Sequence, residues 1–97
     1  MGMESKFTWM DGQLVPTEQA VVPFMTSGLH YGFGAFEGIR CYDTPQGPAI
    51  FRMKEHADRL VDSCRVFGLE LSYSADDIAK ACHEVVRANG FKGCYLR

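Results

Sequence analysis

The fold of this chain is decided by residues 35–68, AFEGIRCYDTPQGPAIFRMKEHADRLVDSCRVFG, in which two strand patterns lead into a helix. Residues 35–42 form the first strand pattern, and Gly38 inside it predicts a bulge or a close approach of the backbone. Residues 43–48 are rich in turn-forming types, and residues 49–52 return as a second strand. We therefore expect these two strands to pair antiparallel.

Two helices are predicted after these strands. The first has one apolar face and ends at Gly68, a residue type that readily adopts the left-handed conformation found after helices. The second begins at Ser74, with Asp77 three residues later as a weaker form of a capping box, and ends at Asn89-Gly90. The apolar residues at helical spacing are Met53, Ala57, Leu60, Val61, Cys64 and Phe67 in the first helix, and Ile78, Cys82, Val85 and Val86 in the second.

The residues before this stretch predict a hairpin followed by a loop. Asp11-Gly12 lies between residues 7–10 and 13–15, and an Asp-Gly pair between two strand patterns is a strong signal for a two-residue turn. Residues 17–32 mix proline, glycine and apolar types, which predicts a loop with one helical turn.

The residues after the helices predict a last strand, over 91–97. The chain ends inside this strand pattern with no turn or cap after it, so we expect a truncated chain. Strands, two helices and a further strand, in this order, predict an α+β fold in which the helices pack against an antiparallel sheet. A length of 97 residues fits a single domain, residues 1–97.

Composition and charge exclude several classes of function. The formal net charge is −2 and the ten basic residues form no block, so we expect no nucleic-acid partner. No apolar stretch reaches membrane-spanning length and the start has no signal-peptide pattern, so we expect a cytoplasmic protein without a membrane partner. The cysteines at positions 41, 64, 82 and 94 have no close spacing, which predicts reduced core thiols and no metal site.

The densest cluster of glycine and aromatic types lies at residues 28–40, GLHYGFGAFEGIR. Glycines let the backbone approach a ligand closely, and aromatic side chains beside them can wall an apolar pocket. The alternative is a tight entry to a strand, packed by its own aromatic side chains. The Gly-x-Gly of this stretch does not predict a dinucleotide site, because a strand and not a helix follows it.

Two further groups of residues have chemistry that suits an anion. Arg59 stands beside the apolar face of the first helix, where its side chain either lies along the core with its charge in water or points inward at a phosphate. His56, one turn earlier, favours a polar helix start over a catalytic base. Tyr95 and Arg97 share one face of the last strand, where they either bind a carboxylate or face water as an edge pair.

Six short runs occur in an order and spacing that are typical of one enzyme family. They lie at residues 29–32, 36–42, 47–48, 51–52, 55–60 and 95–97, and the most specific are Phe-Glu-Gly-Ile-Arg in the second run and Glu-His-x-x-Arg-Leu in the fifth. Together they resemble the branched-chain aminotransferases of the fold-type IV pyridoxal-phosphate class. The resemblance covers almost all of this chain and about the first third of a family chain, so it implies the small N-terminal domain of such an enzyme.

The resemblance implies a reaction and the residues that bind its charged groups. The reaction moves an amino group between leucine, isoleucine or valine and 2-oxoglutarate, so the partners are amino acids and 2-oxo acids. Arg59 matches the arginine that binds the phosphate of the cofactor, pyridoxal 5′-phosphate. Tyr95 matches a tyrosine near the substrate α-carboxylate, and Arg97 matches the arginine that receives the side-chain carboxylate of glutamate.

The resemblance also implies the walls of the side-chain pocket. Phe36 and Gly38 match residues that line the hydrophobic pocket for the substrate side chain. Tyr31 matches an aromatic residue that enters the pocket of the neighbouring subunit, which implies a homodimer.

One element that transamination requires has no match in this chain. The family's lysine binds the cofactor covalently and then moves a proton. None of the lysines here matches that position, so we expect the catalytic lysine and the second domain that bears it to lie outside this chain. We also expect these 97 residues alone to be inactive and not to retain the cofactor. The lysines are Lys6, Lys54, Lys80 and Lys92.

Two alternatives to the branched-chain enzyme remain. D-amino acid and (R)-amine aminotransferases and aminodeoxychorismate lyases share the fold and the phosphate-binding arginine, but the Tyr-x-Arg at 95–97 and the Phe-Glu-Gly at 36–38 favour the branched-chain enzymes. A free-standing binding module that uses the glycine-aromatic surface belongs to a different class, and the end of the chain inside a strand pattern argues against it.

Overall fold

The computed structural model describes residues 5–97 and confirms the α+β fold. Residues 1–4, where the sequence has no signal-peptide pattern, lie outside the described part. The one helical turn expected in the loop is a five-residue helix. In chain order the elements are β1 (Phe7–Met10), β2 (Gln13–Pro16), a 3-10 turn (Thr17–Gln19), α1 (Ser27–Tyr31), β3 (Ile39–Thr44), β4 (Gly47–Ile50), α2 (Met53–Phe67), α3 (Ala75–Asn89) and β5 (Cys94–Leu96).

The strands pair as two antiparallel sheets rather than as the single sheet that the sequence predicted. β1 pairs with β2 alone, and β3 lies between β4 and β5. The predicted turn between β1 and β2 is confirmed, since Asp11 has φ 52° and Gly12 has φ 91°, which a two-residue hairpin turn requires. A second two-residue turn, Pro45-Gln46, joins β3 to β4 and is shorter than the predicted six-residue turn.

Three strand ends differ from the sequence prediction, each for a local reason. β3 begins at Ile39 because its partner Leu96 is the last residue of β5, so residues 35–38 have no ladder partner in the described part of the chain. β4 ends at Ile50 rather than at Arg52, because Arg52 has φ 54° and turns the backbone into α2. β5 is shorter than expected because it pairs with only three residues of β3.

The predicted helix ends are confirmed. Gly68 follows α2 with φ 72° and its N–H donates to the Arg65 carbonyl at 3.1 Å. At the start of α3 the Asp77 N–H donates to Ser74 Oγ at 3.1 Å and the Ser74 N–H donates to Asp77 Oδ2 at 3.0 Å, a complete capping box. Such a cap stabilises a helix by about 1 kcal/mol. Gly90 ends α3 with φ 68°.

The core lies between the three-stranded sheet and α3. Ile39, Cys41 and Leu96 on the sheet and Val86 on α3 form one buried cluster, each less than 10% exposed. Partly buried side chains surround it: Ile50, Met53, Cys82, Val85 and Cys94. Because side chains alternate along a strand, burial of Leu96 directs its two neighbours to the opposite, solvent-facing side of β5.

The hairpin β1–β2 is fixed to α3 by one amide side chain. Asn89 Oδ1 accepts hydrogen bonds from the backbone N–H groups of Lys6 at 2.7 Å and Phe7 at 3.0 Å, while its Nδ2 donates to the Phe7 carbonyl at 3.0 Å. Trp9 adds an edge-to-face contact with Tyr73, with ring centres 5.1 Å apart. Asn89 therefore joins the two sheets to the same helix, a role that its position at the helix end did not predict.

All four cysteines are free thiols. Cys41 lies opposite Cys94 in the register of β3 and β5, and burial raises the pKa of the Cys82 and Cys94 thiols. Within residues 5–97, no cluster of His, Cys, Asp and Glu side chains could hold a metal ion. No helix in the same part of the chain is long and apolar enough to cross a membrane.

Candidate functional site

Four of the predicted site residues lie together on the exposed side of β5. The Arg97 guanidinium carbon is 4.9 Å from the centre of the Phe36 ring and 6.0 Å from that of the Tyr95 ring. The Tyr95 hydroxyl lies over Gly38, where an added Cβ would be 2.8 Å from Tyr95 Cζ. We call these residues, Phe36, Gly38, Tyr95 and Arg97, the Phe36 cluster.

The Phe36 cluster places apolar surface and positive charge side by side. Phe36 is 68% exposed and Tyr95 is 57% exposed, so the cluster is an open wall and not part of the core. Aromatic rings can receive an aliphatic side chain, and a guanidinium can bind a carboxylate through two hydrogen bonds. The same wall can therefore receive an apolar or an acidic side chain.

The close approach of Tyr95 to Gly38 can be tested by adding a methyl group. Gly38→Ala is expected to displace the Tyr95 ring and to change the free energy of unfolding by less than about 1 kcal/mol, because Tyr95 is exposed and can turn outward. The measurement combines the NMR signals of the Tyr95 ring with urea unfolding.

Gly34→Ala is the matched control, because no atom lies within 4 Å of a Cβ added there. The Tyr95 signals should shift in the Gly38 variant and stay unchanged in the control. Unchanged Tyr95 signals in both variants would show that the hydroxyl does not lie over Gly38.

A second group of charged residues lies between the start of β3 and the first turns of α2. Arg59 Nε donates to Glu37 Oε2 and Arg59 Nη2 donates to Glu37 Oε1, both at 2.7 Å. His56 Nδ1 lies 2.7 Å from the same Oε1. Glu37 is only 9% exposed, so a buried carboxylate is shared by two side chains of one helix. We call Glu37, His56 and Arg59 the Glu37 clamp.

The pairing orients Arg59 in a way that neither sequence-based alternative described. Its side chain neither lies free along the core nor points its whole fork inward at a phosphate; its inner edge binds Glu37. Of the five guanidinium N–H groups, the clamp uses two, and within residues 5–97 no hydrogen bond involves Nη1. The side chain is 67% exposed, so the outer edge of the guanidinium faces solvent and is open to an anion.

The clamp keeps Glu37 ionised. Hydrogen bonds from Arg59 lower the pKa of this carboxyl from 4.5 to about 2, against the opposing effect of burial and with help from His56. The same contact raises the pKa of Arg59. Both partners therefore stay charged over the whole physiological range of pH.

This pKa predicts how stability depends on pH. Because folding lowers the pKa of Glu37 from 4.5 to about 2, its contribution is complete above pH 4.5 and is lost as the pH falls toward 2. We expect a loss of about 1–2 kcal/mol, less than the full shift would give, because Arg59 is exposed to solvent. Urea unfolding of wild type and Glu37→Gln between pH 6 and 2 measures it.

The Gln variant should lack this part of the acid sensitivity. It should keep the part that comes from Asp77, whose pKa is lowered by its capping bonds to Ser74. Parallel stability curves for wild type and variant across this range would mean that Glu37 is not held ionised by the clamp.

Tyr31 lies apart from the other predicted site residues. It is the last residue of α1 and is 80% exposed, and its ring neighbour within the described chain is His30, with centres 6.2 Å apart. None of the ring and cation contacts of the Phe36 cluster includes Tyr31. Exposed apolar side chains precede it in the same loop: Val21, Val22, Phe24, Met25 and Leu29.

An apolar groove with a volume of about 540 Å³ runs beside the Phe36 cluster. Phe36, Tyr95 and Arg97 border it at one end, and Trp9 and Val85 lie along its interior between the hairpin and α3. Its lining is mostly carbon, so it suits apolar contacts, while the charged chemistry is confined to Arg97 and the Glu37 clamp.

The lysines offer no nucleophile near these groups. All four are exposed, and Lys54 Nζ is held 2.7 Å from Asp58 on the outer surface of α2. None of them lines the groove or contacts the Phe36 cluster in the described part of the chain.

The sequence analysis gave Glu37 no role and His56 no partner. A signal was present, because His56 and Arg59 are three residues apart and therefore share one face of a helix. Two basic side chains on one face, beside the apolar stripe, require a carboxylate if they approach the core. The sequence does not specify which carboxylate that is, since Glu37 lies 19 residues before His56.

Comparison with known proteins agrees with this geometry. The protein family described as Amino-transferase class IV matches residues 34–97. The branched-chain-amino-acid aminotransferase of Pseudomonas aeruginosa is 47% identical over 89 residues, which are 92% of this chain and 29% of that protein. The crystal structure of the Escherichia coli branched-chain amino acid aminotransferase has a TM-score of 0.92 at 41% identity, covering 95% of this chain and 30% of the other.

A third similar protein was solved with bound compounds. This branched-chain amino acid aminotransferase, from the source abbreviated T.th., is complexed with N-(5′-phosphopyridoxyl)-L-glutamate and has a TM-score of 0.92 at 42% identity, over 97% of this chain and 32% of its own. The same enzyme was also solved with 4-methylvaleric acid. The chain thus spans about 30% of the length of the relatives it matches.

Proposed function

The chain belongs to the class IV amino-transferase family, and from this premise we propose that it forms the small, N-terminal domain of a branched-chain amino acid transaminase. The enzyme moves the amino group between leucine, isoleucine or valine and 2-oxoglutarate. The names of the relatives favour this substrate class over the D-amino acid and (R)-amine enzymes and the lyases of the same fold.

One observation carries the proposal: the Phe36 cluster joins an apolar wall to a guanidinium. A transaminase with these substrates must accept an aliphatic side chain in one half of its cycle and the acidic side chain of glutamate in the other. Phe36 and the glycine at 38 give the aliphatic chain a flat apolar surface, while Arg97, 4.9 Å above the Phe36 ring, pairs with the carboxylate of glutamate. The Tyr95 hydroxyl is placed to donate a hydrogen bond to the α-carboxylate.

The Glu37 clamp suits the phosphate of pyridoxal 5′-phosphate. Arg59 presents an exposed guanidinium edge whose fork geometry matches two phosphate oxygens. When bound, the cofactor supplies the carbonyl group that takes up and releases the amino group. What this chain contributes is the phosphate contact and the binding of the substrate side chain.

We propose that the catalytic lysine is contributed by a further domain, such as the part of the relatives that these residues do not cover. All four lysines here are exposed and distant in sequence from the family's catalytic position. The 97 residues alone are therefore expected to bind the cofactor weakly and to catalyse no amino transfer.

We also propose a cytoplasmic homodimer. The apolar residues at 21–31 leave a large exposed surface on one side of α1, and such surfaces usually lie at interfaces. Tyr31, at the end of this surface, then reaches the pocket of the second subunit. The four free thiols suit a reducing compartment. Light scattering over a dilution series tests the dimer.

The direct test of the function is a fusion protein. Residues 1–97 are joined to the part of the Pseudomonas aeruginosa relative that follows its matched region, and amino transfer to 2-oxoglutarate is assayed with L-leucine, L-isoleucine, L-valine and D-alanine. The isolated chain and the isolated remainder of the relative are assayed in parallel.

We expect the fusion to use the three branched-chain amino acids and neither separate part to do so. Transfer from D-alanine but not from L-leucine would favour the D-amino acid enzymes. A folded fusion that binds the cofactor and transfers no amino group from any of the four amino acids would contradict the proposed function.

A further inference from the structure

The Glu37 clamp has more contacts than an ion pair needs for charge balance. One carboxylate engages three donors, two from Arg59 and one from His56, each at 2.7 Å. A buried carboxylate would be neutralised by a single charged partner, whereas a bidentate contact also fixes the plane of the guanidinium. The geometry therefore constrains the orientation of Arg59 as well as its charge.

Glu37 also lies between two residues of the Phe36 cluster. In extended backbone neighbouring side chains point to opposite sides, and here Phe36 is 68% exposed while Glu37 is 9% exposed. Residues 36–38 therefore hold the proposed side-chain wall on one side and the clamp on the other. A shift of this segment moves both parts of the site together.

We propose that Glu37 is a positioning residue, which holds the inner edge of the Arg59 guanidinium so that its outer edge is fixed in place for a phosphate group. The inference rests on the proposed function, because the phosphate is that of the cofactor. Without the clamp, a long and 67% exposed side chain must be ordered when the phosphate binds. Ordering one such side chain costs about three- to tenfold in affinity, and the clamp removes this cost in advance.

A purely electrostatic role predicts the opposite result. Glu37 is negative, so removing its charge next to a phosphate site would by itself strengthen phosphate binding. Glu37→Gln removes the charge and one strong acceptor, while Glu37→Asp keeps the charge but is one methylene too short to span both Arg59 contacts. Positioning predicts weaker phosphate binding in both variants; charge alone predicts tighter binding in the Gln variant and little change in the Asp variant.

The test is NMR of the 15N-labelled 97-residue chain. Relaxation of the Arg59 Nε–H group measures the order of the guanidinium, and titrations with inorganic phosphate, pyridoxal 5′-phosphate and unphosphorylated pyridoxal measure affinity. Glu55→Gln is the matched control, because Glu55 makes the same kind of acid–arginine contact on the same helix, to Arg52, but through one 3.3 Å bond between exposed side chains.

We expect an ordered Arg59 Nε–H in wild type and in the control, and a mobile one in both Glu37 variants. Both phosphate compounds should bind about three- to tenfold more weakly to the Glu37 variants, with pyridoxal unaffected. An Arg59 Nε–H as mobile in wild type as that of Arg52 would overturn the proposal, and this result does not depend on the folding of any variant. Unchanged or tighter phosphate binding in the Glu37 variants would overturn it as well.

One outcome separates this inference from the proposed function. If Arg59 is ordered by Glu37 but neither phosphate compound shifts its signal at any concentration, Arg59 is not a phosphate ligand and the positioning proposal falls with the cofactor role. If phosphate binding depends on Arg59 and not on Glu37, the cofactor role stands and only the positioning proposal is overturned.

Discussion

Arg59→Ala in the fusion protein is expected to weaken the binding of pyridoxal 5′-phosphate by about one to two orders of magnitude, since a charge-assisted hydrogen bond contributes roughly 1.5–3 kcal/mol. The variant removes the exposed guanidinium edge that faces the proposed phosphate. Arg59→Lys keeps the charge but cannot bind Glu37 and the phosphate at the same time through a planar fork, so its affinity should lie between those of wild type and the Ala variant. Equilibrium titration with the cofactor is the measurement.

The Ala variant needs a control for stability. Removing Arg59 leaves the buried Glu37 carboxylate with His56 as its one remaining hydrogen-bond partner in the described chain, and such a loss destabilises the fold. The double variant Arg59→Ala/Glu37→Gln removes the unpaired charge and should recover stability without recovering cofactor affinity. Arg52→Ala, which breaks an exposed contact on the same helix, should change neither. Cofactor affinity equal to wild type in Arg59→Ala would remove Arg59 from the phosphate site.

Arg97→Leu in the fusion protein is expected to raise the KM for glutamate about ten- to a hundredfold while changing the KM for leucine little. Only glutamate brings a second carboxylate to the Phe36 cluster, so only glutamate loses a charge-assisted pair. The new leucine side chain adds apolar surface beside Phe36, which favours aliphatic substrates if it has any effect. Steady-state kinetics with both amino acids measures the difference.

Arg65→Leu is the matched control for this prediction. Arg65 lies in the last turn of α2, is 73% exposed and contacts only Asp62, at 2.9 Å, among the described residues. It should leave both KM values unchanged. Equal losses for glutamate and leucine in Arg97→Leu would assign Arg97 a structural role, through its contact with the Phe36 ring.

The parts of this fold that depend on neighbouring residues in sequence were predictable. The Asp11-Gly12 turn requires positive φ at both positions, and few residue types accept it. The glycines at 68 and 90 end their helices for the same reason, and Ser74 with Asp77 forms its cap within one turn. In each case the residues that determine the structure are at most a few positions apart.

The parts that depend on distant pairing were not predictable in detail. β3 begins at Ile39 because of Leu96, a residue far along the chain, and no local pattern specifies that register. The division into two sheets follows from which strand edges meet, and the alternation of apolar residues is the same in either arrangement. Arg52 adopts a positive φ that its residue type does not favour, so the early end of β4 had no signal.

The candidate site shows the same division. The shared face of Tyr95 and Arg97 followed from strand alternation, while their contact with Phe36 depends on the pairing of β3 with β5. The roles of the site residues came from the resemblance to a family and remain predictions. The Glu37 clamp was missed because its three members come from two elements, and a glutamate next to glycine carries no local mark of burial.

A crystal structure of the fusion protein with pyridoxal 5′-phosphate and 4-methylvaleric acid would test the central claim most directly. We predict a phosphate oxygen within about 3 Å of Arg59 Nη1, with Glu37 still bound to Nε and Nη2, and the branched chain of the acid against Phe36. A phosphate bound away from Arg59, or an acid that does not touch the Phe36 cluster, would contradict the account.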